Sequence, residues 1–324
     1  MKAIALFSGG LDSALAIKLL TNQGIEVVAC NINTGFGSTK DRLAHMNNIC
    51  DQVGARLRIV DIQDEYLEKV LFTPQYGYGK HFNPCIDCHG KMAEVAKRLM
   101  VEEGADFIIS GEVLGQRPMS QNHEALQSVL KLSDCEGLLL RPLSAKALAP
   151  TVPELNGWVD REKLENIVGR SRDRQMELVH AFGLRDYEAP GGGCLLTDEH
   201  FSRKIRDVLA HDDHFIKADI PILKYGRHLR LPNGAKLIIG RNAEENALLK
   251  SFENPKYLPL HTDLIGPDSL LSANADPEDM LLAAKLVLAY CKPTFTGEQT
   301  LMVGDTPITT ECDVTRSHAT RYFI

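Results

Sequence analysis

The sequence predicts an α/β domain built on a parallel sheet, followed by a smaller α+β domain. Three observations carry that prediction. Five apolar residues, 3–7, run without alternation into a glycine turn and a helix, as a strand covered on both faces does. Strand-like and helix-like stretches then alternate as far as about residue 110, and beyond about residue 201 they give way to short strands joined by a hairpin turn. At 324 residues the chain is too long for one comfortable core, so two domains are expected, at residues 1–200 and 201–324.

After the first strand, Ser8, Gly9 and Gly10 offer backbone N–H groups with little side chain in the way, Asp12 is placed to act on a metal or to fix the loop, and Ser13 opens a helix over 13–23 that Gly24 stops. A small-residue turn at a helix N-terminus is suited to gripping a phosphate chain. There is no G-x-x-x-x-G-K-[ST] and no G-x-G-x-x-G, which removes the Walker loop and the dinucleotide fingerprint.

A second strand is expected over 25–32 and a loop over 33–38. The next helix has Met46, Ile49, Cys50 and Val53 on one face and stops at Gly54, and a third strand spans 57–62. Residues 72–83, with Pro74 and alternating tyrosines and glycines, read as a mobile loop that delivers Asn83-Pro84-Cys85-Ile86-Asp87-Cys88-His89 to a helix with Met92, Val95, Ala96, Leu99 and Met100 on one face. Strands over 106–110 and 138–140 end in Gly111-Glu112 and in Arg141. Ligands of open α/β sheets bind at such carboxyl ends, which brings Ser8, Gly111 and Arg141 to one edge.

Residues 159–184 read as a basic helix, with Arg161, Lys163, Arg170, Arg172 and Arg174, and residues 189–194 as a flexible glycine segment presenting Cys194. In the second domain, strands are expected over 220–223, 229–231 and 236–239, with Pro232-Asn233-Gly234 turning the last two. Asn242 caps a helix to 252, and Asp276, with Pro277 at the first position, caps another to 291. No repeat or low-complexity tract interrupts this order.

Composition is that of an ordinary globular chain, with 44% hydrophobic and 24% charged residues. No apolar run is long enough for a membrane span and no secretory leader is read, so no membrane partner and a cytoplasmic location are expected. The net charge of −7 excludes indiscriminate binding to nucleic acid, yet residues 141–241 carry 17 basic against 14 acidic residues, which marks the segment for a polyanion.

Eight cysteines show no secreted framework. Cys85 and Cys88 have chelating spacing, and Cys194 is the candidate third thiolate. Three sulfurs leave a fourth position open on an iron cluster, whereas zinc with His89 as fourth ligand makes a closed site. Cys30, Cys50, Cys135, Cys291 and Cys312 read as packing residues, and His211-Asp212-Asp213-His214 as a charged helix end rather than a metal site.

Ser-Gly-Gly-Leu-Asp-Ser at 8–13 resembles the signature of the PP-loop ATP pyrophosphatases. Together with Gly111-Glu112-Val113-Leu114-Gly115-Gln116, the later Leu-Arg-Pro-Leu at 140–143, the N-P-C-I-D-C-H run and the late glycine-flanked cysteine, it is similar to the tRNA 4-thiouridine synthetases and tRNA 2-thiouridylases over about residues 1–200. The resemblance implies a tRNA sulfurtransferase: ATP, with Mg²⁺, adenylates a uridine carbonyl oxygen and sulfur displaces AMP. It implies that Ser8, Gly9, Gly10, Asp12 and Ser13 hold pyrophosphate, with Asp12 also counted as catalytic. Gly111, Glu112 and Gln116 line the nucleotide and base, Cys88 and Cys194 form the catalytic pair, and Cys85, Cys88 and Cys194 hold a [4Fe-4S] cluster, with Zn²⁺ as the alternative. The family's N-terminal RNA-binding domain and rhodanese-like domain are not matched, so sulfur is expected from free sulfide or a separate carrier protein. Residues 237–246 resemble the NFACT-type RNA-binding domain, and Arg227, His228, Arg230, Lys236 and Arg241 in and before that stretch are candidate phosphate contacts. The rival functions are a zinc-containing small-molecule ligase of the 7-cyano-7-deazaguanine synthase kind and a non-catalytic RNA-binding protein. A homodimer stands among the open oligomeric states, and the product, 4-thio or 2-thio, is left undecided.

Overall fold

The computed structural model describes residues 1–37, 42–187, 193–212 and 214–324, which divide into two compact units, Met1–Thr197 and Asp198–Ile324. The expected parallel sheet and the smaller α+β unit are both present.

In the first unit, β1 (Lys2–Leu6), β2 (Glu26–Asn33), β3 (Arg56–Asp61), β4 (Phe107–Ser110) and β5 (Leu139–Leu140) form an all-parallel sheet in the order β3-β2-β1-β4-β5. The central strands are apolar on both faces because helices cover both, and Ala3, Ile4, Ala5, Phe107, Ile108 and Ile109 are essentially without exposed surface. Those helices are α1 (Leu11–Thr21), α2 (Leu43–Val53), α3 (Gln63–Tyr66, continued by a π-turn), α4 (Cys85–Glu103), α5 (His123–Ser133), α6 (Val152–Leu155) and α7 (Asp173–Phe182). The strand order reverses between β1 and β4, and Leu6 pairs with Ser110 across that junction, so the loops leaving the two strands open side by side. That is the crevice where ligands of such sheets bind.

Two stretches of this unit depart from the sequence reading. Residues 159–184 are not one helix: only Arg161–Lys163 as a 3-10 turn and α7 are helical. The backbone between them is spent on Pro142, Leu143 and Leu114, whose carbonyls accept from Glu165, Ile167 and Gly169, and Gly169 sits at φ +90. Residues 72–83 are fastened rather than loose: the Asp87 carboxylate accepts from Gln75 N (2.7 Å) and Tyr76 N (3.0 Å), and Tyr78 stacks on Phe82. A carboxylate in the first turn of α4 reaches back to cap the incoming chain, and sequence periodicity carries no trace of such a bond.

The second unit is a six-stranded antiparallel sheet in the order β11-β10-β8-β9-β7-β6, from β6 (Arg227–Arg230), β7 (Lys236–Ile239), β8 (Tyr257–His261), β9 (Ser269–Ser272), β10 (Gln299–Val303) and β11 (Thr306–Thr310). Its helices are α8 (Glu199–His211), α9 (Asp219–Lys224), α10 (Ala243–Ser251), α11 (Pro277–Tyr290) and α12 (Arg316–Ala319). The β6–β7 hairpin turns at Gly234, φ +96, and Asn242 and Asp276 cap their helices by accepting from Glu245 N and Asp279 N. Residues 220–223, expected as a strand, are instead the body of α9. Asp219 accepts from Ile216 N and Pro221 falls in the first helical turn, where its missing N–H costs nothing.

Candidate active site

The turn after β1 is built to be filled. Gly9 takes φ +78, and a Cβ there would press within 3.2 Å of the Arg42 guanidinium and 3.1 Å of Met46. Gly10 is the N-cap of α1 and provides no side chain, so no cap occupies the first-turn N–H groups. Ser8 Oγ accepts from Gly10 N (3.3 Å), and Ser13 Oγ donates to Gly10 O (2.8 Å) and lies 3.5 Å from Ser8 Oγ. From α2, the His45 ring meets Gly9 O at 3.1 Å. A ring of small residues, open N–H groups and the positive end of a helix is an anion cradle.

Asp12 is held over that cradle by one of its oxygens. Gln116 Nε2 donates to Asp12 Oδ2 (2.8 Å), Gln175 Nε2 donates to Gln116 Oε1 (2.9 Å), and Arg172 lies 3.6 Å from the same Oδ2. Asp12 Oδ1 is buried and has no hydrogen-bond partner. A carboxyl oxygen left without a partner beside a phosphate cradle fits a cation that accompanies a nucleotide.

Gly111 is where β4 meets this turn: a Cβ would lie 2.5 Å from Ser13 N, 2.6 Å from Asp12 C and 2.7 Å from Ser13 Cα. The close approach belongs to glycine alone. Its neighbour Glu112 is buried and fully occupied, accepting from Arg141 Nε (2.9 Å), Ser110 Oγ (3.1 Å) and His89 Nδ1 (2.8 Å). Burial alone would raise its carboxyl, but the Arg141 guanidinium and the His89 bond outweigh it and hold it down to about 2. Gln116 and Glu112, expected to line the nucleotide, thus spend their polar atoms on Asp12 and on the Arg141–His89 pair. Sequence reasoning missed Arg172 and Gln175 as supports of Asp12, because Arg172 meets Asp12 and Gln175 meets Gln116 across long stretches of chain that leave no local signature.

Cys85 and Cys88 open α4, and Cys194 lies in the same unit. Residues 189–192 of the expected glycine hinge, like Asp213 of the expected charged helix end, lie outside the described residues. The Cys88 thiol is pushed up to about 12 by burial and then by the neighbouring Cys194, against a hydrogen bond from Tyr66 and with a further push from Cys85. Cys194 keeps exposed surface, yet the protein atoms crowding its sulfur raise it to about 11, with Cys85 adding to the effect. The three cysteines are therefore neighbours within the first unit. Among the described residues, however, no three Cys, His, Asp or Glu side chains stand as a metal-ligand set, and Asn83 Nδ2 occupies Cys85 Sγ at 3.2 Å. The thiols are gathered but not closed round an ion. Cys30, Cys50, Cys135 and Cys291 are buried, as expected of packing residues, and Cys312 is half-buried.

A parallel sheet with an anion cradle at its switch point is a nucleotide-binding arrangement, and the match of the chain's first 157 residues to a HUP domain, a PP-loop fold, implies ATP binding. Residues 1–157 match the family described as tRNA methyl transferase HUP domain, and residues 226–320 match the NFACT protein RNA binding domain. The chain joins these two domains and is distantly related to tRNA 2-thiouridylases. It is similar to the tRNA-specific 2-thiouridylase MnmA of Azoarcus sp. (strain BH72), 28% identical over 50% of this chain and 48% of that one. The enzyme of the same name from Serratia proteamaculans (strain 568) is 28% identical over 64% and 56%. The chain spans about half the length of the curated relatives it matches. Among solved structures it is similar to a 4-thiouridine synthetase in complex with RNA and bound ATP, at 21% identity over 56% of this chain and 51% of that one, with a TM-score of 0.37.

Proposed function

We propose that the chain is an ATP-dependent tRNA uridine thiolase, with residues 1–200 as the catalytic domain and 201–324 as the RNA-binding domain. The observation that carries this reading is the buried, unpartnered Asp12 oxygen beside the uncapped glycine turn that opens α1, in the same unit as Cys85, Cys88 and Cys194. In this reading the first-turn N–H groups of α1, with Ser8, Gly9, Gly10 and Ser13, receive the departing pyrophosphate, and Asp12 Oδ1 takes the Mg²⁺ that accompanies ATP. The uridine carbonyl oxygen attacks the α-phosphorus. A sulfur nucleophile then forms the C–S bond as the C–O bond breaks and AMP leaves with the oxygen, which turns a poor leaving group into a good one.

Cys88 and Cys194 are the sulfur-handling pair. Cys85, Cys88 and Cys194 are the proposed holders of a [4Fe-4S] cluster: an all-sulfur donor set suits iron, and a metal binds cysteine as thiolate, against the burial that favours the thiol at Cys88 and Cys194. Zinc draws on a different observation. Glu112 accepts the His89 Nδ1 proton, which fixes one tautomer and leaves Nε2 as the ligating face, the arrangement usual behind metal-bound imidazoles. Iron, zinc and labile sulfide measured on anaerobically purified protein separate the two. The function itself is tested by pyrophosphate release that depends on added tRNA, followed by mass spectrometry of the tRNA nucleosides. The reading expects a new thiouridine, lost on replacing Cys88 or Cys194 by alanine; pyrophosphate release without any thionucleoside would sink it.

A further inference from the structure

The basic residues that the sequence marks for phosphate are mostly spoken for. Arg230 and Lys236 both grip Asp207, at 2.6 and 3.0 Å. Arg241 is paired with Glu245, and His228 is buried with its ring bonded to Tyr225 O. Of the arginines and lysine in that set, only Arg227 has no carboxylate against it among the described residues. Its guanidinium lies over the Tyr290 ring, 5.0 Å from the centroid, and donates once, from Nη1 to Gly240 O (3.1 Å).

A second arginine, which the sequence did not mark, lies against the same ring. The Arg316 guanidinium is 5.4 Å from the Tyr290 centroid, and its Nε and Nη2 donate to Ala289 O (3.0 Å) and Tyr290 O (3.2 Å) at the end of α11. It too has no carboxylate partner among the described residues. Two cations are thus brought to one aromatic ring although like charges repel. The ring's negative face and the carbonyls of a helix C-terminus offset that repulsion, and both guanidiniums keep donors to spare. A planar cation held in a fixed pose and not neutralised is the usual form of a phosphate contact.

We propose that Arg227, Tyr290 and Arg316 form the backbone-phosphate grip for tRNA on the RNA-binding unit. The assignment rests on the tRNA reading above, to which it adds named residues. The test is binding of the full chain to bulk tRNA by fluorescence anisotropy across a potassium chloride series. Replacing both arginines by glutamine (R227Q with R316Q) is expected to weaken binding about tenfold near 0.1 M salt and to flatten the log–log salt dependence by about 1.4 to 1.8, two phosphates' worth. Arg316 also caps a helix, so R227Q alone, which loses the Gly240 bond and the ring contact but no helix cap, guards against misfolding and is expected to give half that flattening with Tm little changed. Lysine at both positions keeps the charge without the planar stack, and should restore the slope but only part of the affinity; full recovery would overturn the role given to the ring. Inorganic phosphate at matched ionic strength is expected not to displace tRNA, and displacement would make this a small-anion site instead. If the wild-type chain binds tRNA and the glutamine variants leave slope and affinity unchanged, this inference fails and the thiolase reading stands. If the wild-type chain does not bind tRNA, both fall.

Discussion

The turn after β1 and the β6–β7 hairpin are both rich in groups that bind anions, and they treat those groups in opposite ways. At the turn, α1 begins without a side-chain cap and Asp12 keeps a buried oxygen with no partner. On the hairpin, Arg230 and Lys236 close on Asp207 and Arg241 on Glu245. The difference teaches that charge density locates an ion-pair network as readily as a binding site. What marks the turn is a carboxylate oxygen left unsatisfied beside free helix N–H groups; a lone unpartnered atom such as His228 Nδ1 on the hairpin has no such company.

If satisfied charge is structural, breaking it should cost stability first. Glu112 is the sharpest case. Arg141→Gln leaves a buried carboxylate without its buried cation, and a loss of about 3–5 kcal/mol is expected by urea unfolding. The wild-type pH profile follows in sign. A carboxyl held at about 2 when folded, and near its ordinary 4.5 when unfolded, contributes fully above pH 4.5, and that contribution drains away as pH falls toward 2. A stability that stays flat across that window would show that the Arg141–Glu112–His89 cluster is not what it is here taken to be.

If unsatisfied groups are functional, disturbing them should cost activity first. Gly111→Ala forces a Cβ against the Ser13 and Asp12 backbone, so the strand end and the turn must part by roughly 1 Å. Pyrophosphate release is expected to fall about 100-fold, with a stability loss of about 1–3 kcal/mol. Asp12→Asn is milder in structure and more telling in function. It keeps an acceptor for Gln116 but removes the charge, and a loss of about tenfold to 100-fold in pyrophosphate release is expected with Tm unchanged or raised. A variant that lost Tm and kept turnover would put Asp12 with the structural charges.

The sheet was legible because its signals are local: a non-alternating strand, glycines closing α1 and α2, and the Asn242 and Asp276 caps each need only a few neighbours in sequence. Where the reading missed, a distant partner decided. Ile220-Pro221-Ile222 alternates like a strand, but the Asp219 turn winds it into α9, and residues 165–169 trade helical bonds for carbonyls of Pro142, Leu143 and Leu114. The site divides in the same way. Motif spacing brought out Ser8, Gly9, Gly10, Asp12, Ser13 and Gly111, whereas the occupation of Gln116 by Asp12 and Gln175, and of Glu112 by Arg141 and His89, is a property of tertiary pairing.

The smallest effect separates the two regions most cleanly. Arg241 sits one strand away from Arg227, inside the 237–246 stretch that resembles an RNA-binding domain, and its side chain is half exposed, so exposure and position alone would make it a phosphate ligand. Its Nε donates to both Glu245 oxygens, at 2.8 and 2.9 Å, and the guanidinium holds the Glu245 carboxyl below its ordinary range against the burial that would raise it. Glu245 also accepts from Gly226 N and Arg241 N, so it has backbone partners to hold it if the guanidinium is removed. Arg241→Gln should therefore cost no more than about 1 kcal/mol, as partly exposed i,i+4 pairs do. In the same salt series it should leave tRNA affinity and slope where they were, because a cation already neutralised releases few counterions on binding. A drop matching that of Arg227→Gln would mean that Glu245 surrenders its partner to RNA, and internal pairing would then no longer tell a structural charge from a binding one.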